Sequence, residues 1–332
     1  MENSMMEEHK YQVVICAVLF GCDDSFVGLD MGEGLMIERK SLVPKDSLDK
    51  IFEVDAMGLR RDYETARIGA ESLDVACIYK AYEYLADNKS AHDYYEQISS
   101  ELFICLDNQV RAIRLLTEGP VRYLKLAVKL CSETYMFGET SMSCSYSGIM
   151  PVGEAYGVQT ISKAHCQNVE TLRTEMNKIA FPIEIEYLQQ CHVLFDRSYL
   201  VTLPEAEILL ITALEVLFLK SEEGKREKLS KRCAVFIYET EKDRLKYYRK
   251  LRDEYKNRSD YVHDGNARKI SAEGILFLRG CVRSSLLRLL STPQEKRVLI
   301  SNLKIEIEKI DYWPDRNSTS TPDRNVTTNR PS

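Results

Sequence analysis

TLPEAEILLITALEVLF, Thr202–Phe218, decides how the second half of the chain folds. Thr202 and Pro204 open a helix, and Glu205 and Glu207 stand in its first turn, where the helix dipole favours carboxylates. Leu209, Leu210, Ala213, Leu217 and Phe218 supply its apolar face. The same texture extends both ways. Residues 166–180 and 183–199 read as helices. Another follows Gly224 to about Tyr238, and a longer one runs from about Thr240 to His263, with Gly265 to break it. Ser271 opens a helix carrying Ile275, Leu278, Val282, Leu286 and Leu290. Thr292-Pro-Gln-Glu295 has the form of a capping box and predicts a last helix ending near Ile310. From Trp313 onward periodicity is lost, and residues 311–332 read as a disordered tail.

Before residue 166 the texture is different. YQVVICAVLF, Tyr11–Phe20, is a short apolar run rich in Val and Ile and reads as a buried strand. Leu73–Tyr79 and Val121–Leu130 are further strand candidates, and Phe26–Val27 with Leu35–Ile37 suggest a hairpin around glycines 28, 32 and 34. Pro44–Phe52 reads as a short helix and Ser90–Thr117 as a long one, with Ser90 as N-cap; Gly138–Gly157 reads as loop or hairpin. The fold class is therefore α+β. Residues 1–165 form a mixed α/β domain, taken as regulatory or recognition, and residues 166–310 form an all-α bundle.

A length of 332 residues suits about two domains. The hydrophobic share of 44% and charged share of 29% are those of a globular chain. No stretch reaches ~18 apolar residues, so no membrane span is expected. The acidic start MENSMMEEHK does not resemble an export signal, and a cytoplasmic location is expected. The ten cysteines are scattered without a C-x-x-C pair, which suits reduced thiols. Charge is divided along the chain. Residues 1–219 hold 19 Lys and Arg against 34 Asp and Glu, net −15, whereas residues 220–332 are net +9. That asymmetry points the second half towards a polyanionic partner; solvated helix faces would give the same pattern.

Several chemistries lack their signatures. The spacing of Gly28, Gly32 and Gly34 matches no phosphate loop, and Asp30 and Glu33 would repel a phosphate, so a turn is the better reading. The five histidines, at 9, 92, 165, 192 and 263, include no pair at metal-ligand spacing, so neither a metal nor another cofactor is expected. No nucleophile elbow supports a Ser-His-Asp triad.

The segment LRDEYKNRSDYVHDG, Leu251–Gly265, lies in the most basic part of the chain: residues 220–258 hold 14 Lys and Arg against 8 acids. Arg258 offers a rigid fork of donors for a phosphate. His263 can move protons near neutral pH. Those two groups suffice for metal-free RNA cleavage, one to activate the 2′-hydroxyl and one to neutralise charge on phosphorus. Tyr247, Tyr248, Tyr255 and Tyr261 could stack bases or simply pack. Residues five apart on a helix are rotated by about 140°, so Arg258 and His263 do not share a face. They converge only at a helix end or across a two-fold axis with a second copy.

Residues from about 182 to 290 resemble an Apea-like HEPN domain (higher eukaryotes and prokaryotes nucleotide-binding). Ala213-Leu-Glu215-Val-Leu217 resembles the family's A-L-E-x-L core, and Leu229-Ser-Lys-Arg232-Cys-Ala234 its L-x-x-R-x-A segment. Tyr255-Lys-Asn-Arg258-Ser-Asp-Tyr-Val-His263 resembles its Y-x-x-R-S-x-x-V-H stretch, which contains the R-x4–6-H signature. Where the family usually has Gly directly after the His, Asp264 intervenes before Gly265. The resemblance implies a HEPN-type helical bundle that forms a homodimer. It implies a metal-independent endoribonuclease of a toxin or antiphage-defence type, acting on RNA, with tRNA a candidate. Arg258 would hold the scissile phosphate and His263 would act as general acid and base. Ser259, Asp264, Glu215 and Arg232 would be supporting residues. The N-terminal domain would receive an inhibitory or sensing partner. The competing reading is a non-catalytic HEPN module that binds RNA, nucleotide or a partner protein.

Overall fold

The computed structural model describes residues 9–20, 22, 24–39, 75–85, 88–117, 121–132, 169–179, 181, 183–220, 224–311 and 313. Strands β1 (His9–Phe20), β2 (Met36–Arg39), β3 (Val75–Leu85) and β4 (Arg122–Ser132) form one antiparallel sheet in the order β2-β3-β1-β4. The apolar run Tyr11–Phe20 thus becomes a central strand, with Ile15 opposite both Tyr79 and Val128 and a register shift between Ala17 and Leu19. The glycine-rich turn between β1 and β2 is closed by backbone bonds. Gly28 N–H donates to the Ile37 carbonyl at 2.8 Å, and Met31 N–H to the Leu35 carbonyl at 2.8 Å. Asp30 turns its carboxylate onto the Gly32 amide at 2.8 Å and onto Arg173 at 2.8 Å. That makes it a turn residue rather than part of a phosphate loop.

Helix α1 (Asn88–Thr117) starts two residues before the expected Ser90. Its Leu102, Leu106, Val110 and Ile113 bury one face against Leu19, Phe26, Leu29, Ile37 and Tyr123 of the sheet and its turn. That stripe covers one side of an antiparallel sheet, as α+β layering requires. The Pro44–Phe52 helix, the Gly138–Gly157 loop and the tail beyond residue 313 lie outside the described residues.

The rest is helical. Helices α2 (Val169–Met176), α3 (Glu186–Arg197), α4 (Leu203–Phe218), α5 (Lys225–Ile237), α6 (Glu241–Asp264), α7 (Ala272–Ser291) and α8 (Lys296–Glu308) follow in order. Leu210, Leu214 and Leu217 of α4 sit in the middle of one core with Phe195, Leu229, Leu251, Leu278, Val282 and Leu299. The start of α4 is set as its sequence predicts: the Thr202 amide and hydroxyl both donate to the Glu205 carboxylate, at 3.1 and 2.8 Å. Glu207 departs from expectation. It faces inward and is 1% exposed, so it is not a first-turn surface acid.

The capping box expected at Thr292–Glu295 does not form. Thr292 instead closes α7, its N–H bonding the Arg288 carbonyl at 3.1 Å, and Glu295 is the N-cap of α8. Only four residues separate the two helices. Tyr187 OH holds that link by donating to the Gln294 carbonyl at 2.8 Å, so Thr292 is spent on the helix before it. Arg114 of α1 reaches into the bundle and pairs with Asp196 of α3 at 2.5 Å. Arg283 of α7 donates to the Leu116 carbonyl at 3.2 Å.

Candidate functional site

Helix α6 carries both expected catalytic residues, and its ends are strongly determined. Thr240 accepts from the Asp243 amide at 3.2 Å. Gly265 takes the left-handed conformation, φ 66°, and its N–H donates to the Tyr261 carbonyl at 2.9 Å. Asp264 is therefore the last helical residue after His263, and the chain turns at Gly265. His263 is exposed in the last turn, while Arg258 is half-buried. Within one chain the two project from different sides of α6, as the helical rotation demands.

Around Arg258 the bundle has a polar seam. Glu207 of α4 and Glu254 of α6 are 1% and 8% exposed. The Glu254 carboxylate accepts from Asn257 Nδ2 at 3.2 Å. The start of α7 presses on it from the other side: a Cβ at Gly274 would lie 2.8 and 2.9 Å from the two Glu254 oxygens, so only glycine fits unless Glu254 moves. Burial pushes the Glu207 carboxyl up to about 8. The Glu254 charge, and the hydrogen bond that a protonated Glu207 donates to it, act the same way, and Arg258 opposes them. Burial raises Glu254 as well, against the bond from Asn257 and the bond with Glu207. At neutral pH Glu207 therefore keeps its proton, and burial disfavours the charge on both carboxyls.

Arg258 Nε is buried and has no hydrogen-bond acceptor among the described residues. Its guanidinium carbon stands 5.9 Å from the centre of the Tyr255 ring. Other cations of the same helix are committed. Arg244 donates to the Tyr238 carbonyl at 2.7 Å, Arg252 to the Tyr248 hydroxyl at 3.1 Å, Lys250 pairs with Glu273 at 3.0 Å and Lys256 with Asp260 at 2.8 Å. An Arg whose Nε is withdrawn from water and bonded to no acceptor keeps a donor for an incoming anion.

The supporting residues divide. Glu215 accepts from Tyr255 OH at 2.7 Å, so it anchors the residue that flanks Arg258. Arg232 is 6% exposed and donates to the Phe218 carbonyl at 2.8 Å, joining α5 to the end of α4; its role there is structural. Ser259 is half-buried and Asp264 exposed, and neither side chain makes a hydrogen bond or ion pair among the described residues. The tyrosines mostly pack. Tyr247 stacks on Tyr238 at 3.7 Å, Tyr248 is buried with its OH donating to Glu227 at 2.6 Å, and Tyr255 is tied to Glu215.

His192 is buried beside Phe181, and burial pulls its imidazole down to about 4. His165, Cys166 and the side chains of His9 and His92 lie outside the described residues. Among the described residues no group of three or more His, Cys, Asp or Glu is placed to hold a metal ion, and no helix is long and apolar enough to cross a membrane.

Sequence reasoning set Glu207 among the first-turn carboxylates rather than in the core, and did not single out Glu254 or Gly274. Glu207 recurs three and four residues from apolar Leu210, Ile211 and Leu203 and so sits inside the buried stripe, which is the signal that could have found it. No protein-family model, curated protein or solved structure matches the chain.

Proposed function

We propose that the chain is a metal-independent endoribonuclease in which Arg258 and His263 act together across a homodimer. The observation that carries this reading is the half-buried Arg258, with no protein anion bonded to it, on the helix that exposes His263 in its last turn. Arg258 would bind the scissile phosphodiester and neutralise the charge that builds on its non-bridging oxygens. His263 of one copy would take the proton of the 2′-hydroxyl, whose oxygen then attacks phosphorus as the bond to the 5′-oxygen breaks. A second His263 supplies the proton that the leaving oxygen needs. A dimer meets the geometric demand that one helix cannot, and two-fold pairing is the commonest closed assembly. The α+β part before the bundle would receive the inhibitory or sensing partner, consistent with its excess of acidic residues.

The test is incubation of the purified full chain with total RNA and with tRNA, with and without EDTA, followed by mapping of the ends. The expected products carry 2′,3′-cyclic phosphate and 5′-hydroxyl ends, EDTA leaves the rate unchanged, and DNA is inert. RNA that stays intact at every condition, or products with 5′-phosphate ends, sinks the proposal. The Glu207–Glu254 pair beside Arg258 is the feature that favours the second reading, a non-catalytic module, because a carboxylate there competes with a phosphate. Binding of RNA without cleavage by a folded dimer is the result that would select it.

A further inference from the structure

Glu207, early in α4, and Glu254 of α6 are buried where the two helices pack, and Arg258 follows Glu254 by one helical turn. Neither Glu207 oxygen accepts a hydrogen bond among the described residues. The bond left to this carboxyl is the one that its protonated form donates to Glu254. Glu254 is fixed from two more sides, by Asn257 Nδ2 at 3.2 Å and by the close approach of Gly274. Arg258 Nε is buried and bonded to no acceptor. Two touching carboxyls in such a place cannot both carry charge unless a cation moves in.

The cation that acts on Glu207 is Arg258. Other charges on the surrounding helices are engaged elsewhere. Lys250, which acts on Glu254 against Asp253, pairs with Glu273 of α7 at 3.0 Å. Arg279 of α7 donates to the Ser198 carbonyl at 2.6 Å. On α3, His192 answers to Asp196, Arg111 and Arg114. On α5, Arg226 acts on Tyr255 and Arg232 donates to the Phe218 carbonyl, while Lys296 of α8 faces Lys220. On α4 itself, Glu205 is bonded to Thr202 and Glu215 to Tyr255.

We propose that the Glu207–Glu254 pair positions Arg258 as a proton-operated clamp. With Glu207 protonated, the guanidinium is left to an incoming phosphate; with both carboxyls charged, it is drawn into the seam. The clamp rests on Arg258's place in the ribonuclease reading and adds control of that residue by protons. Both carboxyls are positioning residues, because they reach a phosphate only through Arg258. Burial pushes Glu207 up to about 8, so the clamp closes on the alkaline side of neutrality.

The first test needs no RNA. Denaturant unfolding of the full chain, Glu207→Gln, Arg258→Gln and the double variant gives the coupling between the two residues at about pH 6.5 and about pH 9. Coupling should be slight at the lower pH and worth about tenfold or more in the folding equilibrium at the higher. Equal coupling at both overturns the proposal. The second test measures binding of a 2′-O-methylated RNA, which lacks the attacking hydroxyl. The parent's affinity should weaken about tenfold over the same range as one charge-assisted contact is withdrawn. Glu207→Gln should remove that slope. Glu254→Gln should shift the fall to lower pH, since Glu207 then loses the neighbouring charge that helps to hold its proton. An affinity that holds steady in the parent, or a slope as steep in Glu207→Gln, overturns the clamp. Rising coupling in a chain that leaves RNA uncut keeps the clamp and removes the nuclease reading; cleavage with flat coupling does the reverse.

Discussion

Arg114 and Arg258 are both drawn away from solvent in the same bundle, and their surroundings differ in kind. Arg114 is 2% exposed, with Nη1 on Asp196 at 2.5 Å and Nε on the Val121 carbonyl at 2.6 Å. Asp196 is also approached by Arg111 at 3.8 Å. Arg111 pairs in turn with Asp107 at 2.7 Å, so two arginines face two aspartates, and the cluster fastens α1 to α3. Arg258 has two buried carboxyls nearby, its Nε is bonded to neither, and burial pushes both carboxyls towards the protonated form. A paired buried charge serves cohesion, whereas one left without a hydrogen-bond acceptor costs stability.

The largest effects should separate the two arginines by what they change. Arg258→Ala and His263→Ala should each lower RNA cleavage by about 10²–10⁴-fold, with circular dichroism, dimer formation and melting temperature close to the parent's. If both folded dimers cut RNA as fast as the parent, Arg258 and His263 are ordinary surface groups of α6. Asp196→Ala should do the opposite. It strands Arg114 in a buried site and should cost about 3–5 kcal/mol in denaturant unfolding. A loss below about 1 kcal/mol there would mean that water reaches Arg114 and would erase the contrast.

Protonation gives the next contrast. Glu207 is raised from its ordinary 4.5 to about 8, so between those values the folded protein holds a proton that the unfolded chain has released. Stability from this group is present at low pH and is lost as pH rises towards 8. His192 has the other sign. Its value falls from 6.5 to about 4, so its contribution is present above 6.5 and is lost as pH falls through that window. The two slopes oppose each other below 6.5, and Glu207 stands alone above it. Stability should therefore fall between pH 6.5 and 8, and Glu207→Gln should flatten that fall. The variant should gain up to a few kcal/mol over the parent at pH 8.5 and little at pH 5, read from unfolding curves. Parallel curves for parent and variant would show that Glu207 is charged in the fold.

Local rules carried the fold a long way. Thr202, Gly224, Thr240, Gly265 and Ser271 each mark a helix end within a residue, because caps act through the backbone beside them. Thr292 failed as an N-cap because Arg288, four residues back, claimed its amide first. Arg258 and His263 could be picked out as residue types in a basic segment, and their helix was legible. The seam was not, because Glu207 and Glu254 are 47 positions apart and meet only through the packing of α4 on α6. A lone Glu in an apolar stripe looks like a boundary of the stripe until the opposite helix is known.

Gly274 offers the finest test, since it touches the seam without carrying any charge. It lies in the first turn of α7, its N–H donating to Ser271 Oγ at 3.1 Å, so its backbone is already helical. Alanine suits a helix better than glycine by about 1 kcal/mol. Its Cβ would nevertheless fall 2.8 Å from Glu254 Oε2, 2.9 Å from Oε1 and 3.0 Å from Cδ, so the Glu254 carboxyl must yield. The carboxyl is the free end of a flexible side chain, and the two effects should nearly cancel, leaving Gly274→Ala within about 1 kcal/mol of the parent at pH 6. The electrostatic consequence should persist. With Glu254 displaced, Glu207 loses the neighbouring charge and the hydrogen bond that help to hold its proton, so its pKa moves back towards 4.5 while burial keeps it above that value. Gly274→Ala should then behave as a partial Glu207→Gln, with a shallower loss of stability between pH 6.5 and 8. An unchanged slope with unchanged stability would mean that Glu254 has room to move without leaving Glu207. A loss of several kcal/mol at every pH would mean that the carboxyl is locked in place by α7 and that the seam is as rigid as the Arg114–Asp196 junction.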